Sequence, residues 1–188
     1  MTMRTFIAID LDPGIKRTLS DFLRRLKKLA PRNISWIREP GMHLTLKFLG
    51  EIDESQVSLI TRLMNDIGAA SAAFPLKLKG TGFFPPQAKI PRVLWIGMEE
   101  QPAILDLVEN LVSGLERLGF AREERPFHPH LTLGRIKHAS GLQEAIAEME
   151  KNRETAFGEM VVDKIILFKS ILKPTGAEYS ILGESPLS

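Results

Sequence analysis

The feature that most constrains this chain is that it is written twice. Between Pro13 and Leu29 the apolar residues Ile15, Leu19, Phe22, Leu26 and Leu29 step by four and three, the spacing of one buried helical stripe. Adding 89 to each gives Ile104, Val108, Leu111, Leu115 and Leu118, again all apolar. The same offset carries Pro13 onto Pro102, at a first helical turn where a missing N–H costs nothing. Further on, the tetrapeptide His-Leu-Thr-Leu occurs at His43–Leu46 and again at His130–Leu133, an offset of 87. Asp53 with Gln56, and Ser140 with Gln143, keep that offset and read as capping boxes opening two more amphipathic helices.

The segments between these markers repeat as well. "RTFIAI" reads as a buried strand leading into the first helix, which Asp12 is placed to cap. "RVLWIGMEE" is its counterpart before "QPAILDLVENLVSGLERLG", which Gly119 closes. "FPLKLKGTGFF" and "GEMVVDKIILFKSIL" are the strand candidates after the two capping-box helices, and "AEYSILGE" a last strand after a Pro174–Gly176 turn. Each half therefore runs strand, helix, His-Leu-Thr-Leu strand, helix, strand. This predicts an α+β, bilobal fold with a pseudo-two-fold internal repeat. Each lobe is a mainly antiparallel sheet with helices on the outer face, and a groove lies between the lobes. The expected organisation is a single bilobal catalytic domain over 1–188, with repeats over about 3–84 and 92–183.

Composition narrows what such a chain can do. With 188 residues, 44% hydrophobic, it can bury a sizeable core. The absence of cysteine excludes disulfides, zinc–thiolate sites and a thiol nucleophile. Apolar runs such as "IILF" fall far short of the ~18 residues of a membrane span. The chain enters strand-like sequence at once, with no signal segment ahead of it. A cytoplasmic monomer without membrane association is expected. The net charge of +2 admits an anionic substrate without requiring one.

The duplicated strands carry the chemistry. Residues two apart in a strand share a face and lie ~6.6–7 Å apart. Leu44, Leu46 and Phe48 are assigned to the core, leaving His43, Thr45 and Lys47 on the other face. Leu131 and Leu133 point inward, leaving His130 and Thr132 opposite. Two such strands facing each other gather two imidazoles and two hydroxyls around one small volume, which suits a tetrahedral phosphate. Histidine, with an unperturbed pKa of ~6.5, serves as base or acid near neutrality. One imidazole can take a proton from attacking water while an imidazolium protonates a departing ribose oxygen. A strained cyclic phosphodiester needs no metal and no cofactor beyond this.

The motifs "HLTLKFLG" at His43–Gly50 and "HLTLGR" at His130–Arg135 resemble the paired signatures of the two-histidine (2H) phosphoesterase superfamily, in its LigT-like branch of RNA 2′,3′-cyclic phosphodiesterases. "PRVLWIG" at Pro91–Gly97 and "LKPTGAEYSIL" at Leu172–Leu182 extend the resemblance over nearly the whole chain. It implies metal-independent opening of a terminal RNA 2′,3′-cyclic phosphate to a 2′-phosphomonoester. His43 would be the proton donor to the 3′ oxygen and His130 the proton acceptor, while Thr45 and Thr132 hold the phosphate.

Other residues are weighed against plainer roles. Arg135 could fork onto phosphate oxygens, but strict alternation puts it on the leucine face unless a bulge at Gly134 turns it inward. Lys47 is assigned to solvent at the strand edge. His128 could pair with His130 on a metal, but no third ligand lies nearby in sequence, and a loop histidine is favoured. His138 is a surface residue. Phe83 or Phe84 could stack on a base or anchor a loop. Lys89, Arg92, Arg122, Arg125 and Lys137 could track an RNA backbone or simply face water. Beside the hydrolase stand two alternatives: an RNA ligase joining 2′,3′-cyclic phosphate and 5′-hydroxyl ends, and a non-catalytic RNA- or nucleotide-phosphate-binding module.

Overall fold

The computed structural model describes residues 2–30, 32–86, 91–174 and 176–188. Within them run β1 Thr2–Asp10, α1 Pro13–Leu29, β2 Ile34–Trp36, β3 His43–Asp53, α2 Glu54–Ala69, β4 Phe74–Phe84, β5 Val93–Met98, α3 Pro102–Arg117, β6 Leu131–Ile136, α4 Gln143–Lys151, β7 Ala156–Val162, β8 Lys164–Lys173 and β9 Gly176–Pro186.

Three of the four helix starts follow the sequence signals. The Asp12 side chain accepts from the Ile15 N–H at 2.7 Å, with Pro13 in the first turn. Asp53 and Gln56 form both bonds of a capping box, and Gln56 Oε1 accepts from the Asp53 N–H at 2.9 Å. Pro102 opens α3, and Gly119 leaves it at φ 92, a left-handed turn that suits glycine. Ser140, expected to cap α4, does not. Its carbonyl accepts from Asn33 Nδ2 at 2.5 Å, and Gly141 turns the chain at φ 66. The helix therefore starts only at Gln143.

Among the described residues all strand pairings are antiparallel, and they form two sheets, ordered β3-β1-β8-β9 and β2-β6-β5-β4-β7. The first order maps onto β6-β5-β4-β7 of the second, with β2 added at the β6 edge. This is the pseudo-two-fold, but a lobe is not a sequence half. β4, from the first half, pairs with β5; β8 and β9, from the second, extend the sheet of β1. Alternation identifies a strand without naming the edge it joins, so the exchange is invisible in the pattern. For the same reason "GEMVVDKIILFKSIL" is two strands rather than one. Asp163 lies where the chain leaves β7 in one sheet for β8 in the other.

The exchange interlaces the lobes around one core. A single cluster of buried side chains runs from Ile7 and Ile9 on β1 through Leu76 and Leu78 on β4 to Leu94 and Ile96 on β5. Helix α1 packs on β7 and α4, where Phe22 and Phe157 meet at 5.0 Å, while α2 and α3 pack against each other and on the first sheet. Both sheets thus keep their remaining faces for the groove between them. No helix among the described residues is long and apolar enough to cross a membrane.

Candidate active site

A groove of about 960 Å³ opens between the sheets, and both motif strands line it. On β3 the register is Asp10↔His43, Ile9↔Leu44, Ala8↔Thr45, Ile7↔Lys47 and Phe6↔Phe48. Partners in an antiparallel pair point to the same face. Ile7 and Ile9 are buried in the core, so Leu44 and Lys47 face inward, whereas His43, Thr45 and Phe48 face the groove. A register shift passes over Leu46 and reverses the alternation.

Two sequence assignments are corrected by that bulge. Lys47 is not a solvated edge lysine: it is 4% exposed, and its Nζ donates to the Ala121 carbonyl at 2.9 Å and to Glu123 Oε1 at 3.3 Å. Phe48 is not in the core: it is 56% exposed and lines the groove.

The second motif carries the same irregularity at the equivalent place. On β6 the register runs Ile96↔Leu131, Trp95↔Thr132, Leu94↔Gly134 and Val93↔Arg135, passing over Leu133. Arg135 is thereby turned to the groove face with Thr132. Glycine is required beside the bulge: a Cβ at Gly134 would sit 2.6 Å from Ile34 and 2.9 Å from Trp36 of β2. Phe48 and Arg135 occupy equivalent positions in the two lobes, so the groove has an aromatic wall where its partner wall is cationic.

The two histidines have different surroundings. The His43 ring stacks on Phe6 at 4.7 Å and on Phe168 at 5.7 Å, with Tyr179 edge-on at 5.1 Å. Burial among these rings lowers its pKa to about 4. The Pro40 carbonyl and the Asp10 carboxylate oppose that shift, and Lys16, bonded to Asp10 at 2.7 Å, adds to it. Among the described residues nothing, the Pro40 carbonyl included, meets hydrogen-bonding geometry with the buried His43 Nδ1.

His130 meets Phe84 edge-on at 5.0 Å and Trp95 at 6.5 Å. Burial again lowers its pKa, the His128 carbonyl opposes, and Arg135 and His128 add smaller lowering effects. Its Nδ1 lies 2.7 Å from the His128 carbonyl oxygen, an acceptor only. The proton therefore sits on Nδ1 in the neutral ring, and Nε2 keeps a lone pair.

The remaining candidates separate cleanly. The His128 side chain is exposed at the groove, and its backbone, not its imidazole, engages His130. His138 is exposed and away from the groove. Among the described residues no three His, Asp or Glu side chains gather as metal ligands. Phe84 lines the groove, whereas Phe83 packs on the core. Arg92 and Arg125 line the groove, but Arg122 is held by Glu109, Glu116 and Ser113 on α3. Lys137 is exposed outside it, and Lys89 lies outside the described residues.

Sequence reasoning missed Arg4, Phe6, Phe168 and Tyr179. Phe6 was within reach, because it alternates with Ile7 on β1. Phe168 and Tyr179 reach His43 only through the strand exchange.

Comparison with known proteins agrees with this geometry. The family model described as LigT like Phosphoesterase matches twice, over residues 9–95 and 96–179. A Thermotoga maritima protein named RNA 2′,3′-cyclic phosphodiesterase is 36% identical over 182 residues, covering 97% of this chain and 94% of its own. A Methanocaldococcus jannaschii protein of the same name is 34% identical, covering 97% and 99%. The crystal structure of E. coli LigT complexed with 3′-AMP superposes with a TM-score of 0.82 at 26% identity, over 100% of this chain and 99% of that one. The duplicated fold, the paired motifs and these matches place the chain in the LigT-like phosphoesterases of the two-histidine superfamily.

Proposed function

We propose that this chain uses water to open the terminal 2′,3′-cyclic phosphate of an RNA strand, leaving a 2′-phosphomonoester. His43 is its proton donor and His130 its proton acceptor. The observation that carries this reading is the pair of His-x-Thr strands, one per lobe, facing a groove lined by Arg4, Arg92, Arg125 and Arg135. Glu123 is the one carboxylate among the described lining residues.

The cyclic phosphodiester enters as a monoanion. Thr45 and Thr132 donate to its non-bridging oxygens, and Arg135 offsets its charge. Water in line with O3′ attacks phosphorus, and its proton passes to the free Nε2 of His130. The P–O3′ bond breaks on the opposite side, and O3′ takes the proton of the His43 imidazolium. The P–O2′ bond survives. Proton exchange with solvent then resets both rings. Each proton transfer contributes about 10²–10⁴-fold, and relief of ring strain assists, so no step calls for a metal or cofactor.

RNA as the partner is supported by the groove beyond the reacting phosphate. Arg92 and Arg125 stand exposed at its rim, suited to further backbone phosphates. Phe48, Phe84 and Tyr179 offer ring faces or edges to a base. Residues 1–188 act as one catalytic unit, because each sheet needs strands from both halves. We place it in the cytoplasm as a monomer.

The test is incubation in EDTA with a short RNA ending in a 2′,3′-cyclic phosphate, with and without a 5′-hydroxyl strand, followed by identification of the ends. A 2′-phosphate is expected at full rate. A 3′-phosphate would move the proton donation to O2′. A joined strand would make the chain a ligase, and binding without turnover would make it a phosphate-binding module. Activity restored only by a divalent ion would replace the metal-free mechanism.

A further inference from the structure

His43 and His130 belong to different sheets, so a catalytic pair requires something to fix one against the other. His130 follows the irregular connection Gly119–Pro129, whose residues from Ala121 to Pro126 are all exposed. A cavity of about 280 Å³ lies beneath this connection, against α3 and β3, and the connection packs on the core at its two ends, through Phe120 and Phe127, and not along the exposed stretch between them. Arg122 ties it to α3 through Glu109 and Glu116. The tie to the opposite motif is Lys47. This residue stands four positions after His43 on the same strand, and the bulge turns it inward beside buried Ile7. An ammonium is costly to bury unless its partners are well placed. Here they are the Ala121 carbonyl and Glu123, on the segment that leads into His130.

We propose that Lys47 is a positioning residue: it latches the approach to His130 onto the first motif strand and sets the spacing of the two imidazoles. It also pairs with Glu123, keeping that carboxylate's charge from an arriving phosphate. The inference rests on the hydrolase reading above for its kinetic consequences, while its structural consequence can be read without turnover.

The experiment compares Lys47→Met, Lys47→Arg and Lys47→Met/Glu123→Gln with the parent chain. It measures kcat and KM on a cyclic-phosphate oligonucleotide, inorganic phosphate affinity, and the NMR titration and tautomer of His130, all where circular dichroism reports a folded chain. Lys47→Met is expected to lower kcat at least tenfold, raise KM, and let His130 sample both tautomers. Adding Glu123→Gln should restore KM and phosphate affinity but not kcat, because the bond to Ala121 stays lost. Lys47→Arg should recover most of kcat. Native kcat and an unchanged His130 titration in folded Lys47→Met would overturn the latch. So would rescue of both constants by Glu123→Gln, which would leave only a charge effect. If Lys47→Met fails to fold, Lys47→Arg decides: a native His130 signal with kcat lost more than tenfold is the refuting result. If the parent turns over no cyclic phosphate, the hydrolase reading fails, and the His130 tautomer and phosphate affinity still judge the latch.

Discussion

The two walls of the groove share one backbone plan and differ in chemistry. Both motif strands run His-Leu-Thr-Leu into a bulge at the second leucine. Beyond it the first presents Phe48 and the second Arg135. The first histidine is enclosed by three aromatic rings and its Nδ1 has no partner among the described residues; the second has its Nδ1 bound to a carbonyl. The repeat therefore supplies geometry, while divergence at groove-facing positions supplies direction. A pinned Nδ1–H makes His130 a ready acceptor at Nε2. His43, pushed to about 4, is neutral in the free protein at pH 7, and it can serve as a proton donor only once something favours its charged form. A phosphate anion ~4 Å away at an effective dielectric of ~20 supplies ~4 kcal/mol. That is about three times the 1.36 kcal/mol of one pKa unit, enough for the His43 ring to hold a proton near pH 7.

The largest effect should come from removing each ring. His43→Ala and His130→Ala should each lower turnover by ~2.7 kcal/mol or more, the lower end of a proton-transfer contribution. The double variant should cost little beyond the worse single one, since both act in one step. An activated ester whose leaving group needs no proton should rescue His43→Ala and not His130→Ala. The reverse pattern exchanges the roles. Next in size, Thr45→Val and Thr132→Val each delete a hydroxyl at nearly constant shape. Steady-state kinetics should show losses of ~1.5–3 kcal/mol, the range for a hydrogen bond to a charged group. The pH limbs should be retained, and loss of a limb would mean that a threonine fixes the ionisation of its neighbouring histidine.

The pH dependence separates free from occupied groove. Both pKa values are depressed in the free protein, His43 to about 4. The rate of capture, kcat/KM, should therefore fall as pH rises through a limb below 6.5, and again as pH drops below about 4. With substrate bound, the anion raises both histidines, so the limbs of kcat should stand at higher pH than those of kcat/KM. Coincident limbs would mean that the phosphate does not sit between the two rings. The same shift has a linkage consequence. The unfolded chain binds a proton at His43 between pH 6.5 and about 4 and the folded chain does not, so stability contributed by the neutral ring is lost as pH falls through that window.

Much of this was legible in the sequence, and the omissions have physical causes. Periodicity located α1 and α3 with their stripes because helix faces depend on local spacing. The offsets located the motif strands because the duplication kept them. Lys47 and Phe48 were exchanged because a bulge is a property of a pair of strands, and β3 alone does not announce where β1 will slip. For Arg135 the same slip was foreseeable, since Gly134 marked where a backbone could bend and be covered by β2. Tyr179 could not be placed beside His43 from spacing. It arrives from the far end of the chain through β8 and β9, in a sheet whose membership alternation does not encode.

The finest test of the aromatic side concerns two charges near His43. Asp10 lies opposite His43 in the β1–β3 ladder and favours its protonated form, while Lys16, bonded to Asp10 at 2.7 Å, disfavours it. Asp10→Asn leaves the Lys16 charge unopposed, so His43 should become still harder to protonate. Lys16→Met leaves the Asp10 charge unopposed, so His43 should be protonated more readily. Both groups are partly in contact with solvent, which limits each effect to about 0.2–1 kcal/mol, a change of a few-fold at most. If His43 donates the proton, Asp10→Asn lowers kcat/KM on a cyclic-phosphate RNA and Lys16→Met raises it. Added salt should shrink both changes. Neither variant should alter the rate on the activated ester, whose departure needs no proton. NMR titration of His43 should move in the same two directions as the rates. Opposite movement of pKa and rate would leave the ring necessary yet assign the proton donation to another group in the groove.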